Sequence, residues 1–497
     1  MLTALNGIIV ATVAWVLRVF RLPGLNSTRI YAVLGAPSMQ PLLERLGRRR
    51  ALDVYRIARQ RCPAYRRFLQ EQGAPPISRT GQLSLIPETT KENFVKKFSI
   101  EERCLDGRIP SRGVVIDESS GSSGVPNNWV RGSAERSSVR RLLRHGFALT
   151  FPGEDLFMLN CFALGPWATG MNLSMSLADT VVLKSIGPDK AKLENTLKTF
   201  GPRYRYVISG YPPFIKDWLD TRTLDLRPYS LHLIVGGEGI SEGLRDSFLK
   251  TFKTVHSSYG ASDLEINIAA ETTRSIALRR FAASDPSLCR ALFGRDDAPM
   301  VFQYNPLDYL IERSTQGELV ITLLRRGNAA PKIRYNIHDV GGAIPWRDVE
   351  HILKQKRRDV AALPTGAAFP VLFVYGRSDL TVAFYGAKLY PTDMDAVINA
   401  DPELRASFHS FQMQVVNEPD LSKTLAIALE QAQSGTPLRA GFDFSIALYE
   451  GLKRVNQDFR EVSKMFGPER VRVTVYGFAQ GPFKDRDIRV KQKYIAG

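Results

Sequence analysis

Residues 117–129, DESSGSSGVPNNW, contain four serines, two glycines and a proline directly after an apolar run. Small residues leave backbone N–H groups uncovered, and serine hydroxyls add further donors, so such a loop can surround an anion. The donors would be the backbone and side chains of Ser119, Ser120, Gly121, Ser122, Ser123 and Gly124. Composition alone leaves a flexible Gly/Ser linker open as the alternative.

Later stretches combine aromatic, acidic and basic residues in short segments. They are IVGGEGIS at 234–241, SSYGASD at 257–263, IRYNIHD at 333–339, VYGRSDL at 374–380 and RVKQKYI at 489–495. Each has a simpler interpretation as well. Tyr259 could belong to the core, Asp339 could be a turn acid ahead of two glycines, and Arg377 with Asp379 could form a surface ion pair.

The elements that would position these residues follow from hydrophobic periodicity. Between about 111 and 270, strand-like runs such as RYVISGY and LHLIVGGEG alternate with helical patterns such as GPDKAKLENTLKTFG. This alternation predicts α/β layers with parallel strands. Residues 40–100 are predicted to be helical and 301–350 to be β-rich. The fold class is therefore α/β, with a large N-terminal domain of layered sheets and helices and a smaller α+β C-terminal domain.

We predict three parts of the chain. An apolar and basic segment covers 1–45, the large domain covers 46–375, and the small domain covers 376–497. The small domain is expected to contain strands and one long helix from about 437 to 465.

The composition is that of a globular protein of 497 residues with a formal net charge of +17. No zinc-finger spacing or aromatic-interleaved basic motif supports nucleic-acid binding, so no nucleic-acid partner is expected. Four scattered cysteines argue against a disulfide framework and favour a reducing, cytoplasmic compartment.

The apolar segment 2–21 leaves three interpretations open. Its uninterrupted apolar part is shorter than the roughly 20 residues of a clean membrane span. Its arginines follow the apolar run, whereas a signal peptide has its positive charge before the apolar core. If the segment inserts into a membrane, the same arginines would place the following chain in the cytoplasm. An interfacial anchor on the cytoplasmic face of a membrane and a helix packed on the protein are the other possibilities.

Taken together and in this order, SSGSSGVP and the later stretches resemble the motifs of the adenylate-forming superfamily, the acyl-CoA synthetases and their relatives. The finer resemblance is to the phenylacetate–CoA ligase branch, including its capsule-biosynthesis-like members, and covers roughly residues 50–497. It implies that 46–375 is an AMP-binding domain and that the small domain is mobile, with a hinge at about 376–380 and Asp379 as its pivot.

The resemblance also implies roles for individual residues. The loop at 119–124 would hold the β- and γ-phosphates of ATP, and Asp339 would bind the ribose hydroxyls. Tyr259 would stack on adenine, and Gly260 would belong to the same nucleotide-binding motif. Arg377 would lie near the nucleotide, and Gly237 and Glu238 would form the strand end beside adenine.

The resemblance also implies which residues bind magnesium and which residue is catalytic. Asp263 stands where the family commonly has glutamate, and it is expected to hold Mg²⁺ together with Glu265. Lys491 is expected to be the catalytic lysine. The chain departs from the family pattern at Asn127, at His338, where glycine is usual, and at Val490.

The implied function is ATP-dependent activation of an aryl or fatty acyl carboxylic acid as its acyl-adenylate, followed by transfer to CoA or to a phosphopantetheine thiol of an acyl-carrier protein. The alternatives are adenylylation of a cofactor, acyl transfer to a non-thiol acceptor, and a non-catalytic subunit. Residues 160–178, with Phe162, Trp167, Met171 and Met175, are the expected lining of the acid pocket, or else ordinary core.

Overall fold

The structure is a computed structural model. It describes residues 34–119, 127–151, 155–165, 168–378, 382–384, 387–418, 423–433, 441–456, 459–460, 463 and 466–484. The predictions for the loop 120–124, Trp167, Asp379, Lys491 and the segment 2–21 lie outside these residues.

The helices of the described residues are mostly short and amphipathic. They are α1 (Gln40–Arg61), α2 (Pro63–Glu71), α3 (Ser133–Thr150), α4 (Ala168–Leu177), α5 (Lys190–Phe200), α6 (Pro212–Thr221), α7 (Glu242–Leu249), α8 (Thr273–Ala283), α9 (Pro286–Phe293), α10 (Trp346–Gln355), α11 (Pro391–Ala400), α12 (Pro402–Ser407) and α13 (Phe444–Val455).

The strands fall into four sheets. They are β1 (Val115–Ser119), β2 (Asn127–Arg131), β3 (Leu156–Asn160), β4 (Val182–Ser185), β5 (Arg205–Gly210), β6 (Ser230–Gly236), β7 (Thr254–Ala261), β8 (Glu265–Ala270), β9 (Met300–Tyr304), β10 (Tyr309–Arg313), β11 (Glu318–Leu323), β12 (Tyr335–Ile344), β13 (Val371–Arg377), β14 (Val382–Phe384), β15 (Ala387–Leu389), β16 (Phe408–Asn417), β17 (Lys423–Gln431) and β18 (Val471–Tyr476).

The main sheet has eleven strands in the order β10-β11-β12-β13-β9-β8-β7-β6-β5-β3-β4. Strands β3 to β7 pair in parallel, while β8 to β13 pair antiparallel to their neighbours. Helices α5, α6 and α7 connect successive parallel strands, which is the α/β arrangement that the alternating pattern predicts. The α/β fold class is therefore confirmed.

The parallel strands β3, β5 and β6 lie inside the molecule, which explains their nearly continuous apolar sequence. In β5, every residue from Tyr206 to Gly210 is buried. Trp218 on α6 and Phe248 on α7 are at most 1 % exposed and belong to the same apolar core as Tyr206. Side chains of α1 and α2 extend this core, so the predicted N-terminal helices pack on the large sheet.

A smaller unit follows the main sheet. Its three-stranded sheet, β16-β17-β18, has its own apolar core, to which α11 and α13 contribute Met394 and Leu448. The prediction of one helix from 437 to 465 is wrong, because α13 ends at Val455. Asn456 is extended (φ −123°, ψ 117°), and its amide donates to Asp393 Oδ2 at 2.7 Å.

Within the described part of the chain, no helix is long and apolar enough to cross a membrane.

Asp393 makes the stability of the small unit depend on pH. Its Oδ2 also accepts from the backbone N–H of Tyr390 at 2.8 Å, and burial raises the pKa of this carboxyl to about 7. The unfolded chain ionises Asp393 near pH 4. The folded state therefore keeps a proton that the unfolded state loses, and its contribution to stability is complete below about pH 4 and lost as the pH rises to about 7.

We expect Asp393→Asn to flatten the fall of stability between about pH 4 and about pH 7. The slope attributable to this group is at most about 1.4 kcal/mol per pH unit. Thermal unfolding midpoints of both proteins across this range measure the effect. Parallel pH curves for the two proteins would contradict it.

Candidate functional site

A cavity of about 280 Å³ lies between the main sheet and the small unit, and we name it the interdomain cavity. Seven of the predicted site residues line it, although they come from four separate stretches of sequence. They are Gly237, Glu238, Tyr259, Gly260, Asp263, Asp339 and Arg377. Among the predicted site residues of the described part, Glu265 does not line this cavity. The remaining one, Ser119, ends β1.

The position of the cavity follows from the topology. Strands β6 and β7 are parallel neighbours and end at Gly236 and Ala261. The loops after them therefore emerge at the same carboxyl edge of the sheet, which is where open α/β sheets bind ligands.

Gly237 is needed for the shape of the β6–α7 loop. Its φ is +83°, and a Cβ there would overlap the ring of Tyr211. We expect Gly237→Ala to destabilise the protein by about 1–3 kcal/mol, because a non-glycine residue in this region is strained. The thermal unfolding midpoint measures this loss. Gly81→Ala, where a Cβ meets no atom within 4 Å, is the matched control, and equal effects of the two variants would contradict the assignment.

Tyr259 and Asp339 form the centre of one cavity wall. The Tyr259 hydroxyl donates to Asp339 Oδ2 at 2.5 Å, and its ring packs against Phe302 with 5.7 Å between centroids. Asp339 lies opposite Arg377 in the β12–β13 ladder. Burial, followed by the Asp339 charge, raises the pKa of Tyr259 well above its ordinary range. The neutral Tyr259 hydroxyl therefore donates to the carboxylate of Asp339. Asp339 is 8 % exposed.

Asp263 lies on the turn between β7 and β8 and lines the same cavity. Its Oδ2 accepts from the Tyr335 hydroxyl at 2.9 Å. Tyr335 opens β12, the strand that carries Asp339. The turn and β12 are therefore fixed to each other at the cavity.

Glu265 does not line the interdomain cavity, and its geometry argues against a role as metal ligand. Its carboxylate is 2 % exposed. One oxygen accepts from Arg325 Nη1 at 2.6 Å, and the other accepts from the Tyr309 hydroxyl. We assign Glu265 to a buried ion pair instead. Glu265 opens β8 and pairs with Ala261 in the β7–β8 ladder, whereas Asp263 lies on the turn between the two strands.

No cluster of three or more His, Cys, Asp or Glu side chains suited to a metal ion occurs among the described residues.

The small unit closes the cavity with residues that the sequence analysis missed. Thr392 on α11 and Phe408, His409 and Phe411 on β16 line it. The backbone N–H of Ser241 in the main unit donates to Asp395 Oδ2 on α11 at 3.2 Å. No sequence signal marks these residues, because their role depends on how the two units face each other.

Arg131 is a second feature that sequence reasoning missed. Its guanidinium is buried, pairs with Asp117 at 3.1 Å and Glu135 at 2.8 Å, and donates to the carbonyls of Ser262 and Leu264. It therefore fixes strands β1 and β2, between which the predicted phosphate loop lies in the sequence, to the two residues on either side of Asp263.

His338 explains one departure from the family pattern. Its φ is +62°, in the left-handed region where glycine is favoured. Its backbone N–H donates to Asn336 Oδ1 at 2.8 Å, and its ring lies 3.4 Å from Glu318. The chain thus places a non-glycine residue in a left-handed backbone conformation next to Asp339.

A second cavity, of about 240 Å³, adjoins the first, and we name it the apolar cavity. The two share the wall residues Gly237, Ser257, Ser258, Gly260 and Ser262. Aliphatic and aromatic side chains from α3, α4, β6 and β8 form part of the remaining wall, together with polar side chains such as Asn267 and Gln303.

Only part of the segment predicted to line the acid pocket, or else to be core, faces the apolar cavity. Phe162 and Leu173 line the apolar cavity, as expected for residues of 160–178. Met171 and Met175 also lie on α4 but do not line the apolar cavity. Each is two positions from Leu173, and residues two apart on a helix do not share a face. Trp167 lies outside the described residues.

Comparison with known proteins gives structural likeness only. Neither family models nor curated protein sequences match the chain. A crystal structure of 2-hydroxyisobutyryl-CoA ligase in the postadenylation state with 2-HIB-AMP matches it with a TM-score of 0.65 and 15 % identity, covering 93 % of this chain and 90 % of that one. The same ligase with 2-HIB-AMP and CoA in the thioesterification state gives a TM-score of 0.51, with 15 % identity and coverages of 90 % and 89 %.

Likeness at this level of identity establishes the fold. The match covers both the main sheet and the small unit, and the interdomain cavity lies where they meet. The chain therefore has the two-domain α/β fold of the adenylate-forming acyl-CoA synthetase-like ligases.

Proposed function

We propose that the protein uses ATP to activate a carboxylic acid as its acyl-adenylate and then transfers the acyl group to the thiol of CoA or of a carrier protein. The observation that carries the proposal is the convergence of seven motif residues on the interdomain cavity, directly beside a cavity with apolar walls. The first would hold the nucleotide and the second the acid.

The proposed first step is an in-line displacement. A carboxylate oxygen attacks the α-phosphorus of ATP, the bond from that phosphorus to the bridging oxygen breaks, and pyrophosphate leaves with the electron pair. Such a step needs positioning and charge stabilisation more than it needs a base. Asp339 would bind the ribose hydroxyls, with its carboxylate held in place by Tyr259, and Arg377 would lie beside the phosphates.

The residues present are compatible with Mg²⁺ bound chiefly through phosphate oxygens. Asp263 faces the interdomain cavity and would be the protein ligand, an arrangement that Mg²⁺ commonly adopts at phosphate sites. When bound, the ion would neutralise charge on the leaving pyrophosphate. The serine and glycine residues at 119–124 would donate to the same phosphates.

The second step would transfer the acyl group. A thiolate sulfur attacks the acyl carbon, AMP leaves, and the thiol proton is released. Lys491 would neutralise the α-phosphate in the first step, and rotation of the small domain about Asp379 would then open the site to the thiol. Because ATP and free thiols are reagents of the reducing cytoplasm, we propose that compartment, with 2–21 as a possible contact to a membrane surface.

Within this class we propose the phenylacetate–CoA ligase branch. Its support is the sequence resemblance at the N-terminal helices and at SSGSSGVPNNWVRG.

Product analysis tests the proposal. The full chain would be incubated with ATP labelled in its α-phosphate, Mg²⁺, CoA and pools of aryl, short-chain and long-chain acids. We expect labelled AMP and an acyl thioester in equal amounts with one pool, and no turnover without acid. Without CoA, one equivalent of labelled acyl-adenylate should remain bound.

Two results would contradict the proposal in different ways. Formation of labelled ADP would show that the protein transfers a phosphoryl group and does not form an adenylate. Label on a product that contains no acid would favour adenylylation of another acceptor.

A further inference from the structure

Strand β8 bulges where the two cavities meet. The bulge covers 266–268, which face Gly260 alone on β7, and it lies between the ladder pairs Tyr259–Ala269 and Ala261–Glu265. A Cβ at Gly260 would lie 2.6 Å from the backbone nitrogen of Asn267, so the bulge packs directly on Gly260. Because Gly260 lines both cavities, the bulge is at their junction.

Asn267 is at the centre of the bulge and has a strained backbone. Its φ is +94°, in the region that residues other than glycine rarely adopt. Bulges redirect side chains and are common next to active sites, and backbone strain of this kind is concentrated at ligand sites. The side chain at this position is therefore the first candidate for contact with a ligand.

The amide of Asn267 is oriented by Ser258, which lines both cavities. The Ser258 hydroxyl donates to Asn267 Oδ1 at 2.9 Å, and this bond leaves the two N–H groups of Nδ2 without a partner among the described residues. Nδ2 is not one of the buried side-chain atoms that lack a partner, so it has accessible surface. Asn267 is half-buried and lines the apolar cavity, where a bound molecule can reach these donors.

Two other side-chain amides line the apolar cavity, and both are engaged within the protein. Gln303 donates to two backbone carbonyls at 2.9 Å. Asn305 donates to Asp308 Oδ2 at 2.7 Å. Neither can donate to a ligand without loss of an existing bond, so Asn267 differs from them in having donors available.

The chemistry of these donors suits a carboxylate. No lysine or arginine occurs among the described residues that line the apolar cavity. An N–H group binds an anionic oxygen more strongly than a neutral one. Because the amide is neutral, it would hold a carboxylate without cancelling its charge, and the second oxygen would stay nucleophilic. The junction is also where the carboxylate of an acid must lie to meet a nucleotide in the interdomain cavity.

We propose that Nδ2 of Asn267 donates to the carboxylate oxygen of the acid that does not attack the α-phosphorus, and that this bond aligns the other oxygen for the attack. After the attack, the bound oxygen is the carbonyl oxygen of the acyl-adenylate. The same donors would then stabilise the charge that develops on it when the thiolate adds. The assignment of the two cavities to nucleotide and acid rests on the proposed function.

Pairs of an acid and an alcohol with the same apolar body test this inference: hydrocinnamic acid with hydrocinnamyl alcohol, and decanoic acid with decanol. Equilibrium binding without ATP and acid-dependent ATP–pyrophosphate exchange would both be measured on the full chain. We expect at least one acid to bind about tenfold more tightly than its alcohol, the difference between a hydrogen bond to a charged group and one to a neutral group.

Asn267→Gly should remove this preference and lower kcat/KM for the acid by about 30-fold, with KM for ATP changed by less than about twofold. Glycine adopts a φ of +94° without strain, so relief of strain offsets the lost bond to Ser258 and the thermal midpoint should not fall. A purely structural role for Asn267 would lower the midpoint and leave the preference unchanged.

Asn267→Asp places a negative charge where the amide donors were. At about pH 8 it should weaken binding of the acid by about 100-fold through repulsion of like charges, and binding of the alcohol by less than about threefold. Arg357→Gly is the matched control for the backbone change. Arg357 has a φ of +55°, is exposed and lines neither cavity, so this variant should keep both the preference and the exchange.

The outcomes separate this inference from the proposed function. Exchange together with an acid preference that Asn267→Gly and Asn267→Asp leave unchanged overturns the inference alone. An acid preference that depends on Asn267, without any exchange, supports the carboxylate contact and contradicts the proposed function. No preference for either acid over its alcohol overturns the inference.

Discussion

Replacing Asp339 with alanine is expected to lower acid-dependent ATP–pyrophosphate exchange by about 100-fold, since loss of a buried, hydrogen-bonded charge at a binding site typically costs 2–5 kcal/mol. The carboxylate is 8 % exposed and lies on the wall of the interdomain cavity. Its removal also deprives the Tyr259 hydroxyl of its acceptor. We expect the loss to appear mainly in kcat/KM for ATP.

Two further variants make this result specific. Tyr259→Phe keeps the ring but removes the donor, so about a tenfold loss is expected, the value of a hydrogen bond to a charged group. Asp348→Ala, at an exposed aspartate on α10 that lines neither cavity, should leave exchange unchanged. An Asp339→Ala protein that keeps its thermal midpoint and full exchange would contradict the assignment.

Replacing Arg131 with methionine is expected to destabilise the protein by about 3–5 kcal/mol, because it leaves Asp117 and Glu135 buried without their cation. Both carboxylates are 2 % exposed. The variant also loses the bonds to the carbonyls on either side of Asp263, so its KM for Mg·ATP should rise. Thermal unfolding midpoints and exchange kinetics measure the two effects.

The control for this prediction is Arg227→Met. Arg227 is 90 % exposed and pairs with Asp225 on the surface, where an ion pair contributes little. A second test adds Glu135→Gln to Arg131→Met, which removes one uncompensated charge and should recover part of the stability. Equal destabilisation by Arg131→Met and Arg227→Met would contradict the role of Arg131.

Sequence reasoning located the motif residues through their resemblance to the motifs of a known superfamily. The position of Gly237 also follows from topology, because the ends of parallel strands meet at one edge of the sheet. Asp339 lies within the antiparallel strand β12, so its place in the site depends on the folded structure. The strands themselves were predictable from buried apolar runs such as that at Tyr206–Gly210.

The partners of these residues could not be predicted in the same way. Tyr335 contacts Asp263 across 72 residues of sequence, and Arg131 contacts Leu264 across 133. These pairs depend on register and on side-chain direction. Glu265 illustrates the limit: a shift of two positions from Asp263 moved it from the cavity wall into a buried ion pair.

The small unit shows a second limit. Periodicity predicted one long helix, but Asn456 leaves the helical conformation to donate to Asp393. The contribution of Phe408 and His409 to the cavity arises only from the packing of two separately folded units. No local pattern encodes such a contact.

Acid-dependent ATP–pyrophosphate exchange, run on the full chain with pools of aryl, short-chain and long-chain acids, tests the central claim most directly. The account predicts exchange that requires an added acid from one pool and that Asp339→Ala lowers by about 100-fold. Exchange that is absent with every pool, together with no binding of ATP, would contradict it.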